Sequence, residues 1–91
     1  MKFNLGMVVT TRGVANEIDE DSKYKEEITN CLNRHCSCDW GDVSEEDAKL
    51  NNTAISIGEQ ILSAYETSKG RIWIITEHDR SATTVLFPSE Y

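Results

Sequence analysis

The last third of the chain, residues 61–91, restricts the possible folds more than any other part of the sequence. It contains three runs rich in β-branched and aromatic residues, at 61–67, 71–77 and 83–87, separated by short polar breaks. Runs of this length that are bounded by turn residues are typical of β-strands. Three of them in succession predict a β-meander, which would form the frame of the domain.

The second of these runs is apolar on both sides. Ile72 and Ile74 would point to one face of the sheet, and Trp73 and Ile75 to the other. We therefore expect a central strand that is covered on both faces, in part by helices. The segment 68–70 before it predicts a hairpin loop, because its glycine tolerates a positive φ. We expect a buried core that includes Ile72, Ile74, Ile75, Val85 and Phe87.

The first two thirds of the chain predict one strand and two or three helices. Residues 6–11 form a short β-branched run, and residues 22–36 have apolar side chains at helical spacing, namely Tyr24, Ile28, Cys31 and Leu32. Ser44 is a suitable N-cap for a second helix over 44–53. Together these elements predict an α+β fold, in which an antiparallel sheet of about four strands is packed by one long and one or two short helices.

The length and composition indicate a single domain over residues 1–91. The chain is 38% hydrophobic and 27% charged, which is ordinary for a globular protein. A domain of this size has no room for a large internal cavity, so we expect any site to be a surface groove or to lie between subunits. The sequence has no apolar run of 18 residues, and its start lacks the apolar region of a signal peptide. We expect a cytoplasmic protein that does not bind membranes.

The net charge of −7 lies entirely within residues 17–50. This segment holds four basic residues and eleven acidic ones, namely Glu17, Asp19, Glu20, Asp21, Glu26, Glu27, Asp39, Asp42, Glu45, Glu46 and Asp47. Because binding to phosphates needs a basic surface, we expect no direct contact with nucleic acid. An acidic surface can instead attract a basic protein, although it can equally serve only to keep a helix face solvated.

A cluster of cysteine and histidine residues resembles a metal site in composition but not in spacing. Cys31 and His35 would share a helix face, whereas Cys36 would point about 100° away, and Cys38 follows in a loop. Structural zinc sites need four ligands in a tetrahedron, usually from two ligand pairs. We expect no zinc and no other cofactor. No oxyanion-hole motif accompanies these residues, so a Cys–His nucleophile is not expected either.

The motif Asp39-Trp40-Gly41-Asp42 places a large aromatic ring in a polar loop. Two interpretations are open. The ring packs back against the domain, or it is an exposed anchor for a partner protein, since tryptophan is common among the residues that dominate interface energies. The second interpretation, with the acidic residues that follow, predicts a partner-binding site made of Asp39, Trp40, Asp42, Glu45, Glu46 and Asp47.

A second polar motif, Glu77-His78-Asp79-Arg80, joins the last two predicted strands. Loops held by a rigid sheet often carry function, so these four residues are a possible site. Alternatively they form a structural network, with Asp79 in a turn and Arg80 paired with a carboxylate of Glu77, Asp79 or Glu90. A metal-dependent nuclease would need clustered carboxylates and usually a lysine, and no lysine lies near Glu77 and Asp79 in the sequence.

These motifs also carry a family resemblance. The Asp-Trp-Gly-Asp motif at 39–42, the segments at 62–65 and 72–77, and the C-terminal segments at 79–81, 83–88 and 90–91 resemble a family of small proteins. Phages, plasmids and integrated elements of Gram-positive anaerobes encode this family, which is usually labelled only plasmid-related. The residue before the first motif is commonly glycine in the family and is Cys38 here. Since the family has no established activity, the resemblance implies a genomic context rather than a chemistry.

Two classes of function are consistent with these observations. The first is a non-enzymatic accessory protein of a mobile element that binds another protein, for example as an inhibitor of a host defence system of the anti-CRISPR or anti-restriction type. The second is a small metal-dependent hydrolase or nuclease that uses Glu77, His78 and Asp79. We expect the first, because the chain is small and acidic and has no cofactor motif.

Overall fold

The computed structural model describes residues 2–91 and shows an α+β fold with three helices and a four-stranded sheet. The elements follow the chain in the order β1 (Met7–Thr10), α1 (Arg12–Glu20), α2 (Ser22–Cys36), α3 (Glu45–Ile57), β2 (Ile61–Thr67), β3 (Gly70–Thr76) and β4 (Ala82–Leu86). A short 3₁₀ turn, Pro88–Glu90, ends the chain. The predicted fold class is confirmed. Along residues 2–91, no helix combines the length and apolar character needed to cross a membrane.

The sheet is mixed, with the strand order β1-β4-β3-β2. The meander β2-β3-β4 is antiparallel as predicted, but β1 pairs with β4 in parallel. The prediction of a wholly antiparallel sheet is therefore wrong for one pair. The reason lies in the connection: the chain leaves β1 through three helices before it enters the meander, and a long crossover of this kind permits parallel pairing.

The helix boundaries follow local capping chemistry. The side chain of Asp21 accepts a hydrogen bond from the backbone N–H of Lys23 at 3.0 Å and begins α2, which ends at Cys36 as predicted. Ser44 caps α3 by accepting from the N–H of Asp47 at 3.1 Å. This helix runs to Ile57, four residues further than predicted, because Gly58 supplies the left-handed residue that ends it.

The helices cover one face of the sheet. The main core cluster joins Val14 of α1 and Tyr24, Ile28 and Cys31 of α2 to the strands through Tyr65, Ile72, Ile74 and Val85. In a second cluster, Trp40 from the loop before α3 and Ala54 of α3 pack against Ile61 of β2. The predicted core residues are buried, except for Phe87, which is half-buried.

The opposite face of the sheet is covered much less. One row of side chains crosses all four strands, from Val9 through Thr84 and Ile75 to Leu62. On this face the ring of Tyr91, at the end of the chain, packs edge-on against Trp73 with the ring centroids 5.6 Å apart. The position of β3 at the centre of the sheet is confirmed. The helices supply the cover on the face of Ile72 and Ile74, and on the other face Ile75 is buried while Trp73 is half-buried.

Removal of the Ile74 side chain tests the core directly. Ile74 is fully buried between β2 and β4 in the main cluster, so Ile74→Ala leaves a cavity and should lower the free energy of unfolding by about 2–5 kcal/mol. Urea unfolding midpoints measure this loss. Ile57→Ala is the matched control, since Ile57 is 63% exposed and should change stability by less than about 0.5 kcal/mol. A loss below about 1 kcal/mol for Ile74→Ala would contradict the packing described here.

Candidate functional site

The Asp39–Asp42 loop lies against the outer edge of β2. The carbonyl oxygen of Trp40 accepts a hydrogen bond from the Ala64 N–H at 3.1 Å, and the Asp42 N–H donates to the Ala64 carbonyl at 2.7 Å. Gly41 sits between them with φ at +71°, and a Cβ at this position would lie 2.0 Å from the Ala64 oxygen. The motif therefore acts as a short additional strand that covers this edge of the sheet.

Trp40 is buried as a consequence of this docking. Its ring is only 6% exposed, packs against Phe3 and His35, and donates its indole N–H to the side-chain oxygen of Asn52 at 3.1 Å. Of the two interpretations of Trp40, packing of the ring against the domain is confirmed and the exposed aromatic anchor is wrong. The polar sequence around Trp40 suggested a solvated loop, but backbone pairing with Ala64 directs the ring into the space beneath α3.

Asp39 also has a structural partner. Its two carboxylate oxygens accept from Nε and Nη2 of Arg34 at 2.7 and 3.1 Å, and the guanidinium lies 4.7 Å from the centre of the Tyr65 ring. This hydrogen bonding holds the pKa of Asp39 below its usual value. The Tyr65 hydroxyl donates to the Asp39 carbonyl at 2.7 Å. These contacts fix the start of the loop.

A buried hydrogen-bonded chain runs through His35, and it was not predicted. Nδ1 of His35 lies 2.5 Å from the Ser63 hydroxyl oxygen, and Nε2 lies 2.9 Å from that of Thr76. The Thr76 oxygen lies 2.7 Å from that of Thr83, whose hydroxyl donates to the Leu5 carbonyl at 2.7 Å. The four side chains are fully buried.

The carbonyl at the end of this chain determines the direction of every hydrogen bond. Because the Thr83 hydroxyl donates its only proton to the Leu5 carbonyl, its oxygen must accept a hydrogen bond from the Thr76 hydroxyl. Thr76 must then accept from the Nε2–H of His35, which leaves Nδ1 as the acceptor for the Ser63 hydroxyl. His35 is thus neutral and protonated on Nε2, and burial lowers its pKa from 6.5 to about 4.

The His35 arrangement does not form a nucleophilic or metal site. Although Ser63 and His35 are within hydrogen-bonding distance, both are fully buried, so a substrate cannot reach them. Both ring nitrogens are engaged, which leaves no lone pair for a metal ion. A signal for this network was present in the sequence, since Ser63, Thr76 and Thr83 are polar positions on the inward face of otherwise apolar strands.

The three cysteines lie in different environments. Cys31 is buried in the main core cluster, and Cys36 and Cys38 are half-buried. Burial raises the pKa of the Cys31 and Cys36 thiols, which keeps them protonated and makes them poor nucleophiles. Within residues 2–91, no group of three or more histidine, cysteine, aspartate or glutamate side chains is arranged to hold a metal ion. That the protein carries no zinc remains a prediction.

The Glu77–Arg80 loop is organised by Arg80. With φ at +61°, Arg80 turns its guanidinium onto backbone carbonyls at the end of α3, donating to Ala54 at 2.8 Å and to Glu59 at 2.6 Å, and it also donates to the Glu77 carbonyl at 3.0 Å. The expected pairing of Arg80 with a carboxylate is therefore wrong. The carbonyl oxygens at the C-terminus of a helix carry partial negative charge, so they attract the guanidinium of Arg80.

The remaining residues of this loop do not converge on a reactive centre. Asp79 accepts from the Ser81 N–H at 3.0 Å, which is the turn predicted for it. Hydrogen bonds from the side chain and the backbone of Ser81 lower the pKa of Asp79. His78 is exposed. Glu77 lines one end of a groove of about 310 Å³ on the open face of the sheet, with Ile75, Thr84 and Leu86 below it. Glu90 lines the same groove, but its carboxylate is engaged by Thr11 and Gly13.

The acidic residues at the start of α3 are exposed. Glu45, Glu46 and Asp47 occupy its first turn, where negative side chains stabilise a helix. None of the three is in an ion pair within residues 2–91. Asp42, in the preceding loop, has Arg71 4.0 Å away. The predicted partner-binding residues are therefore divided into a structural part, Asp39 and Trp40, and an exposed acidic part.

Comparisons of the chain with protein-family models, with curated proteins and with solved structures find no match in any of the three. The geometry described above is consequently the basis for proposing a function.

Proposed function

We propose that this protein is a cytoplasmic accessory protein of a phage or plasmid, and that it acts by binding another protein, with a host defence protein as the target. The observation that carries the proposal is the exposed first turn of α3, with three carboxylates that have no ion-pair partner in the described part of the chain. A basic protein surface is the partner that fits it. The mobile-element origin rests on the family resemblance alone.

The arrangement of the polar side chains supports binding over catalysis. Asp39, His35, Arg80 and Glu90 each make hydrogen bonds that hold the fold together. A hydrolase that uses Glu77, His78 and Asp79 would need these groups directed at one point, whereas Asp79 is engaged in its own turn. The concentration of negative charge also disfavours nucleic acid as the partner.

Association kinetics test the proposal. An affinity pull-down from host lysate with mass spectrometry identifies the partner, and surface plasmon resonance then gives the rates. Reversal of the α3 charges in a Glu45→Lys, Glu46→Lys, Asp47→Lys variant should slow association at least about tenfold at low salt and flatten its salt dependence, because long-range attraction acts mainly on the association rate. Dissociation should change much less.

The matched control reverses three other exposed acidic residues on α1 and α2, in an Asp19→Lys, Glu20→Lys, Glu26→Lys variant. This variant has the same net charge as the first. If both variants slow association equally, net charge rather than the α3 surface attracts the partner. Unchanged association in both, together with loss of an activity on mutation of Glu77, would replace the binding proposal with the hydrolase. Thermal melts establish that each variant is folded.

A further inference from the structure

The two edges of the sheet differ in how the chain covers them. At the β2 edge, the Asn51 side chain donates to the Leu62 carbonyl at 2.7 Å and accepts from the Leu62 N–H at 3.1 Å. The Asp39–Asp42 loop pairs in the same way with Ala64. The outward backbone groups of β2 at these two positions are therefore satisfied within the chain.

The β1 edge is open. The N–H groups of Met7 and Thr11 donate to the carbonyls of Ser81 and Val85. The odd-numbered residues of this segment therefore direct their backbone N–H and C=O groups toward β4. By the alternation of a strand, Val8 and Thr10 direct their N–H and C=O groups away from the sheet. No other group in residues 2–91 is hydrogen-bonded to this outer side. All four residues of β1 are exposed, with Met7 at 69% and Val8 at 44%.

The β1 strand also lacks the features by which sheet edges avoid pairing with other chains. Proteins commonly protect an open edge with lysine, proline, a bulge or an inward-pointing charge. Met7–Thr10 contains no charged residue and no proline, and its register with β4 is regular. β-Branched residues in an extended, exposed strand favour the addition of another strand.

We infer that β1 is a dimerisation edge, where a second copy of this chain adds its own β1 in antiparallel orientation about a twofold axis through Val9. In this register Val8 lies opposite Thr10 of the second copy, and Thr10 lies opposite its Val8. Each of these two pairs exchanges two hydrogen bonds between outward backbone groups that have no partner in residues 2–91. The product is a continuous eight-stranded sheet with both β2 edges covered by their own chains.

A second copy is the occupant that the charge distribution favours. The net charge of each chain resides in residues 17–50, whereas β1 is uncharged and the rest of the sequence is balanced. Two copies can therefore meet along a neutral seam, where like-charge repulsion is weakest. The outward residues are self-complementary in the antiparallel register, which is the requirement of a twofold interface. A four-residue strand pair is small, so we expect a weak dimer, with a Kd of about 10 μM to 1 mM.

Sedimentation equilibrium on the purified protein tests this inference. From about 10 μM to 1 mM protein, the average mass should rise from that of the 10.3 kDa chain toward twice that value. Val8→Pro removes an outward N–H without touching a bond to β4, and Val8→Lys adds a charge at the seam. Both variants should stay monomeric across the range. Ile57→Lys, which changes an exposed apolar residue on α3, should dimerise like the unmodified protein.

Amide hydrogen exchange supplies a second measurement. The N–H groups of Val8 and Thr10 should become protected at high protein concentration and exchange rapidly at low concentration. Thermal melts of each variant show whether loss of the dimer reflects unfolding. A protein that is monomeric at 1 mM overturns the inference, as does a dimer that persists in both Val8 variants. A strand supplied only by another protein would give the first of these results.

Discussion

Lowering the pH from 7 to 4 should destabilise the folded protein by about 3 kcal/mol through His35 alone. Its pKa falls from 6.5 in the unfolded chain to about 4 in the folded protein, since burial disfavours the charged ring. Between these two values the unfolded chain binds the proton and the folded protein does not. Stability is therefore fully present above pH 6.5 and is lost as the pH falls toward 4, at about 1.4 kcal/mol per pH unit.

Urea unfolding of the unmodified protein and of His35→Gln, measured at several pH values, isolates this effect. The variant loses the network at every pH, so it is less stable at pH 7, but the difference in unfolding free energy should shrink by about 3 kcal/mol on going to pH 4. His78→Gln is the matched control for the loss of a histidine, because His78 is exposed and lies outside the buried network. A stability difference for His35→Gln that is constant with pH would show that His35 titrates normally in the folded protein.

Gly41→Ala should cost about 3–5 kcal/mol of folding stability and release the loop from β2. Part of this cost is the left-handed conformation at φ +71°, which is worth about 1 kcal/mol for alanine. The rest comes from contact, because the new Cβ would lie 2.0 Å from the Ala64 carbonyl oxygen and 2.7 Å from Cδ1 of Tyr65. The loop must then move, which breaks its two backbone bonds to Ala64 and exposes the Trp40 ring.

Gly58→Ala is the matched control for this substitution. Gly58 has nearly the same φ, at +74°, but the nearest atom to an added Cβ is 3.9 Å away. Its replacement should cost only the conformational part, about 1 kcal/mol. Denaturant midpoints give both losses, and a red shift of tryptophan emission reports exposure of Trp40. Equal losses for the two variants would mean that the loop is not held closely against β2.

Local sequence signals determined most of the secondary structure. The apolar spacing from Tyr24 to Leu32 was sufficient to define α2, and the β-branched runs around the 68–70 loop were sufficient to define the hairpin. These features depend on residues within a few positions of each other, so their energetics can be read from the sequence. The α+β class followed from the same signals.

Long-range contacts decided what the polar motifs do. Nothing within the Asp39–Asp42 segment shows that it will pair with Ala64, so only the fold reveals that Trp40 is buried. In the same way Arg80 has carboxylates near it in sequence but carbonyls near it in space. The hydrogen-bond partners of the His35 ring, Ser63 and Thr76, come from two strands and lie 28 and 41 residues away from it in the chain.

What the sequence determined by itself is the set of elements other than α1, the neutral character of the sheet strands and the location of the charge. The tertiary structure alone decided that β1 pairs in parallel with β4, that one edge of the sheet is covered and the other open, and that His35 is neutral. Periodicity and capping act within one element, whereas strand order, edge exposure and burial depend on which distant segments meet. Which distant segments come into contact depends on the packing of the whole chain, and no single local pattern determines it.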